Sequence, residues 1–98
     1  MLMKRVEVHP DAQAEFRDSV RWYGEASAHA ARRFALAVKA AILAIRENPD
    51  RYAKWGNFYR HYLVHGFPYY IGYRIAEDQI VIVAIRHSSR DQDSWLGR

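Results

Sequence analysis

The chain contains no cysteine. A disulfide framework, a thiol nucleophile and a cysteine-based zinc site are therefore excluded, and the composition fits a reducing compartment. Proline and glycine are scarce, at 3 and 5 residues among 98. No Pro/Gly linker, internal repeat or low-complexity segment divides the sequence, so a single domain over residues 1–98 is expected. No apolar run reaches the ~20 residues of a membrane span. The opening Met1-Leu2-Met3-Lys4-Arg5 lacks the apolar stretch of a signal peptide. A soluble cytoplasmic protein with no membrane partner is the reading. Also missing are a Gly-rich phosphate loop, a Ser/His/Asp set and a carboxylate pair, which weakens nucleotide-binding and ordinary hydrolase readings. No cofactor is expected.

What is present is a hydrophobic half and a basic surplus. Hydrophobic residues make up 50% of the chain, enough for one globular core of roughly 5–15 kcal/mol stability. The net charge is +4. Residues 1–50 carry 8 basic and 7 acidic side chains, whereas residues 51–98 carry 7 and 4. The surplus therefore falls in the second half. It suits nucleic acid, an acidic protein or ordinary solubility.

Residues 4–8 alternate and predict a short strand with Val6 and Val8 inward. His9-Pro10-Asp11 opens a helix, because proline is tolerated in a first turn and Asp11 suits its positive end. Ala12, Phe16, Val20 and Tyr23 form its apolar stripe. Residues 24–27 break the pattern, and Ser27 suits an N-cap. A second helix is predicted over about 28–47, with Ala31, Phe34, Val38, Ala41, Ile42 and Ile45 on one face. Arg32, Arg33, Lys39, Arg46 and Glu47 fit its wet side, and Pro49 stops it. A loop over 50–57 leads to strands over 58–64, 67–76 and 79–86, joined by turns at His65-Gly66 and Glu77-Asp78. The order is β-α-α-β-β-β: an α+β domain with an antiparallel helical hairpin on one face of a small, mostly antiparallel sheet.

The last strand is apolar on both sides. Ile80, Ile82 and Ala84 would point one way and Val81, Val83 and Ile85 the other. Two helices cover one face only. Either Tyr and Arg side chains from neighbouring strands cover the other, or a partner does.

If the strand register cooperates, Arg60, Arg74 and Arg86 gather on that far face with Tyr70 among them, an arrangement that suits phosphate oxygens. His87 lies between Arg86 and Arg90. It is either a general acid or base, or a strand-end histidine bonded to its own backbone. His61 and His65 have a zinc-like spacing for a helix, but here they fall on a strand and a turn, so no metal is expected. Trp22-Tyr23 reads as helix-packing surface. Trp95 is either an anchor onto the domain or a contact for a partner.

Several landmarks recur in order along nearly the whole chain: His9-Pro10 with Ala12, Trp22-Tyr23, Phe34, Asn48-Pro49, Tyr59-Arg60, Phe67-Pro68-Tyr69, Tyr73-Arg74-Ile75, Ile80 to Ile85, and His87 with Arg90 before Trp95. Together they resemble the RelE/ParE superfamily of type II toxin–antitoxin toxins. The resemblance implies a growth-arresting toxin, neutralised by a largely disordered antitoxin segment that folds on it. Operator DNA would be contacted only through the antitoxin.

RelE-like members cleave mRNA on the ribosome, and ParE-like members poison DNA gyrase. With Lys54 the only lysine after the helices, the pattern looks more ParE-like. On the RelE-like alternative, Arg60, His87 and Arg90 would be catalytic. Arg60, Tyr70, Arg74, Arg86, His87, Arg90 and Trp95 are the candidate target or antitoxin contacts. An inactive antitoxin-binding scaffold is the third reading.

Overall fold

A computed structural model of the protein describes residues 4–91 and 93–98. Strand β1 (Arg5–Val8) leads into helices α1 (Pro10–Ala26) and α2 (Ala28–Glu47). Strands β2 (Lys54–Trp55), β3 (Tyr59–Leu63), β4 (Tyr69–Ile75) and β5 (Gln79–His87) follow. The strands form one sheet in the order β1-β5-β4-β3-β2. Only β1 runs parallel to its neighbour, β5; the other three pairings are antiparallel. This is the expected α+β architecture, with one addition. The loop expected at 50–57 contains β2, which pairs Lys54 with Arg60 and Trp55 with Tyr59. Gly56 turns that hairpin at φ +67°, a conformation other residues rarely adopt. Among the described residues, no helix is long and apolar enough to cross a membrane.

Local chemistry sets the helix ends. The His9 ring accepts the Asp11 N–H through Nδ1 at 3.1 Å, so a histidine supplies the cap ahead of Pro10. The break expected over 24–27 narrows to Ser27 alone. Ser27 Oγ accepts the Ala30 N–H at 2.9 Å, while its own N–H donates to the Tyr23 carbonyl. One residue thus closes α1 and caps α2. Gly24 stays helical within α1, beside the Ala31 methyl of α2, at an ordinary contact distance of 3.7 Å from where a Cβ would stand. α2 buries Phe34, Val38, Ala41 and Ile45 and ends at Asn48, before Pro49, as its sequence dictates.

The helices cover a core of Ala12, Phe34, Ile71, Tyr73, Ile80, Ile82 and Ile85. An aromatic knot joins the layers. Phe34 lies 4.9 Å from Tyr23, 5.3 Å from Phe67 and 4.7 Å from Tyr69, ring centre to ring centre. The Tyr73 hydroxyl donates to the Pro49 carbonyl at 2.6 Å. Burial pushes its pKa up to about 12.

β5 departs from simple alternation. Gly72 pairs with Ala84, but Tyr73 pairs with Ile82, which leaves Val83 as the extra residue of a bulge. Inserting one residue shifts the later side chains to the opposite face. Ile85 therefore joins Ile80 and Ile82 under the helices, while Ala84 joins Val81 and Val83 on the far side. The two expected triplets are corrected accordingly.

The far face is also not left to a partner. Residues 93–98 fold back across it, and Trp95 is fully buried there with Tyr70, Val81, Val83 and Ala84. Trp55 and Tyr59 flank it, with ring centres 5.5 and 5.1 Å away. Trp95 Nε1–H donates to the Tyr70 hydroxyl at 2.7 Å. The slot exists because Gly72 has no side chain: a Cβ would stand 3.2 Å from Trp95 Cη2. The chain supplies its own cover, chiefly from the tail rather than from neighbouring Tyr and Arg residues.

Candidate functional site

Register decides where the three strand arginines go. Arg60 stands opposite Tyr73, on the helix side of the sheet. Its guanidinium donates to the Tyr52 carbonyl at 2.7 Å. Arg74 and Arg86 do share the far face with Tyr70, but at opposite ends. Arg74 pairs with Val81, and Arg86 pairs with Tyr70 four residues along β4, a separation of about 13 Å at ~3.3 Å per residue. Arg74 Nε donates to the Arg98 carbonyl at 3.3 Å. The expected Arg60–Arg74–Arg86 cluster is not assembled. Tyr70 is buried and its pKa is raised, chiefly by that burial.

Arg86 is held inside. It is 6% exposed, donates to Ser94 Oγ at 2.6 Å and lies 3.5 Å from Glu15 Oε2. Glu15, which sequence reasoning did not single out, ties three parts of the chain together. Its Oε1 accepts the Ile85 N–H at 3.1 Å, and its Oε2 accepts from Arg98 at 3.0 Å. Arg98 also donates to the Val83 carbonyl at 3.0 Å and lies 3.6 Å from Asp11. β1 pairs with β5 only as far as Ile82, so the edge of β5 beyond it is bonded by a carboxylate and a guanidinium. An exposed strand edge would otherwise present open backbone groups.

His87 and Arg90 lie on a turn at the end of β5. The Arg90 N–H donates to the His87 carbonyl at 3.1 Å, and the Ser88 N–H to the Pro68 carbonyl at 2.8 Å. The His87 ring accepts the Ser89 N–H through Nδ1 at 3.1 Å. A neutral ring so bonded carries its proton on Nε2. Tyr69 meets that ring edge-on at 5.3 Å. His61 is elsewhere, 5.1 Å from the Trp55 ring on the far face, with its pKa lowered by burial.

Grooves lie on opposite flanks of α1. One, of about 700 Å³, runs between α1 and α2 over Phe16, Val38, Ile42 and Ile85. Leu36 and Leu43 stand on its wall 58% and 49% exposed. Among the described residues, Arg17 and Lys39 are its only charged lining residues. The other, of about 300 Å³, lies between α1 and the end of β5. It is lined by Glu15, Asp18, Trp22, Tyr69, Arg86, His87 and Arg90 among others. Thus His87 and Arg90 come together, Arg86 lies beneath them, and Arg60, Arg74 and Trp95 are elsewhere. The i, i+3, i+4, i+7 spacing of Glu15, Asp18, Ser19 and Trp22 is the signal that could have found this groove.

The profile of the family described as ParE toxin of type II toxin-antitoxin system, parDE, matches residues 6–92. Two relatives named Toxin ParE2, from Mycobacterium tuberculosis strains CDC 1551 / Oshkosh and ATCC 25618 / H37Rv, are each 27% identical over 94 residues. Those residues span 95% of this chain and 90% of the relative. Given a profile match over most of its length, on a helical hairpin backed by this sheet, the chain belongs to the ParE toxin family of type II toxin–antitoxin systems.

Proposed function

We propose that the chain arrests growth as a non-catalytic poison of DNA gyrase and is neutralised by an antitoxin encoded beside it. Family membership supports the toxin and the antitoxin partner. One observation favours a binding poison over a ribonuclease. Arg60 aligns with Tyr73 on β4 and His87 with Tyr69, two strands apart across the sheet. At ~3.3 Å per residue and ~4.8 Å per strand, their backbones are about 16 Å apart. Arg60 is further turned to the Tyr52 carbonyl. Cleavage by 2′-OH attack needs a base, an acid and cations around one phosphate. With its guanidinium bonded to the Tyr52 carbonyl, Arg60 does not line the groove that holds His87 and Arg90.

The 700 Å³ groove suits the antitoxin. Its wall is apolar and, among the described residues, its only charges are basic, so an amphipathic segment with an acidic flank complements it. Titration of the purified chain into a gyrase supercoiling reaction tests the reading. Supercoiling is expected to fail at micromolar chain or below. Unchanged supercoiling overturns the proposal, and normal growth on expression without antitoxin favours the inactive scaffold instead.

A further inference from the structure

We propose that the groove between α1 and the end of β5 grips the target protein, and that it takes an acidic side chain flanked by an apolar one. This rests on reading the chain as a binding toxin. It assigns the target to the opposite flank of α1 from the apolar groove.

The anchor is Trp22. It is 65% exposed, and tryptophan is among the residue types that carry most energy in protein interfaces. It stands on α1 in line with Glu15, Asp18 and Ser19, facing Tyr69, Ile85, His87 and Arg90. A volume of about 300 Å³ admits one or two side chains. Tyr69 and Ile85 supply an apolar floor.

Two donors stand on the opposite wall, with a buried guanidinium beneath them. Among the described residues, Arg90 makes no ion pair. His87 has Nδ1 engaged by Ser89, which leaves Nε2 as donor. Arg86 lines the groove at 6% exposure, and its Nε has no hydrogen-bond partner. A carboxylate entering the groove meets Arg90 and the His87 Nε2–H first, with the buried Arg86 guanidinium adding positive charge beneath them. Glu15 does not take up Arg90 or His87, because its two oxygens are already shared among the Ile85 N–H, Arg98 and Arg86.

The acids in the groove choose the class of partner. Asp18 makes no ion pair among the described residues and faces the cationic wall. It can accept a backbone N–H from a peptide. A nucleic-acid strand would bring successive phosphates against Asp18 and Glu15 and be repelled. The groove therefore fits a protein segment that brings a single carboxylate to the cationic wall beside an apolar side chain.

Binding of the full chain to immobilised gyrase, with a supercoiling assay in parallel, tests this. Trp22→Ala and Arg90→Glu are each expected to weaken both by about tenfold or more. Arg51→Glu, the same charge reversal on an exposed loop residue, should leave both unchanged. Trp22 and Arg90 are exposed, so melting temperatures should stay within a few degrees of wild type. If wild type binds and both variants bind equally well, the groove assignment is wrong while the gyrase reading stands. An equal loss in Arg51→Glu also overturns it, since general charge then explains the effect. No binding by wild type overturns both.

Discussion

Trp95→Ala should be among the most destabilising single substitutions in this chain. The indole is fully buried between the far face of β4–β5 and the rings of Trp55 and Tyr59. Burying ~200 Å² of side chain at ~25 cal/mol per Å² is worth about 5 kcal/mol as an upper bound. Large-to-small substitutions of this kind cost about 3–5 kcal/mol. The Tyr70 hydroxyl also loses the indole donor 2.7 Å away. Gly72→Ala perturbs the same slot from the other side. Its methyl would stand 3.2 Å and 3.3 Å from two Trp95 ring carbons and 3.4 Å from the Ala84 Cβ, an overpacking cost of about 1–3 kcal/mol. In the double variant the crowding disappears and the methyl enters vacated space. The two costs should then fall short of additivity by about 1–3 kcal/mol. Urea melts of the four chains measure this directly. Additivity to within ~0.5 kcal/mol, or a Trp95→Ala cost under ~1 kcal/mol, would refute a tail seated on the sheet.

Alkali should unfold the protein partly through Tyr73, whose folded pKa is pushed to about 12 by burial. Its stabilising contribution is complete below pH 10 and is lost as pH rises toward 12, about 3 kcal/mol in all. Tyr73→Phe should lose correspondingly less across that window in denaturant melts. Acid should act through His61, whose pKa burial holds below the ordinary 6.5. The contribution of the neutral ring is full above pH 6.5 and is lost as pH falls through the lower folded value. His61→Gln should flatten that limb of the stability profile. Leu43→Glu puts an acid in the apolar groove at a half-exposed position. It should weaken antitoxin binding by tenfold or more in calorimetry while leaving the thermal melt nearly unchanged.

Much of the fold was legible because helix and strand periods are strong in this chain. The stripe Phe34, Val38, Ala41 and Ile45 defines α2, and all four are buried. The paired turns of the meander are where the sequence puts them. Gly24 misled because glycine weakens a helix signal, although here α1 runs through it to Ala26. β2 was hidden because two residues carry no period. The bulge at Val83 was invisible for a related reason: both faces of β5 are apolar, so a one-residue slip leaves the pattern unchanged. Register also decided the site. Arg60 lies on the helix side because His61, rather than Arg60, shares the face of Gly72. The seat of Trp95 depends on contacts with residues 11 to 40 positions away, beyond any local pattern.

The claim that most needs testing is that this toxin works by binding gyrase rather than by cutting RNA. Purified chain can be incubated with gyrase and plasmid, the reaction stopped with detergent and protease, and the linear DNA quantified. A parallel translation reaction reports new 5′ ends on the mRNA. Linear plasmid should rise with toxin concentration while the mRNA ends stay unchanged. Codon-spaced mRNA ends, with gyrase untouched, would contradict the account.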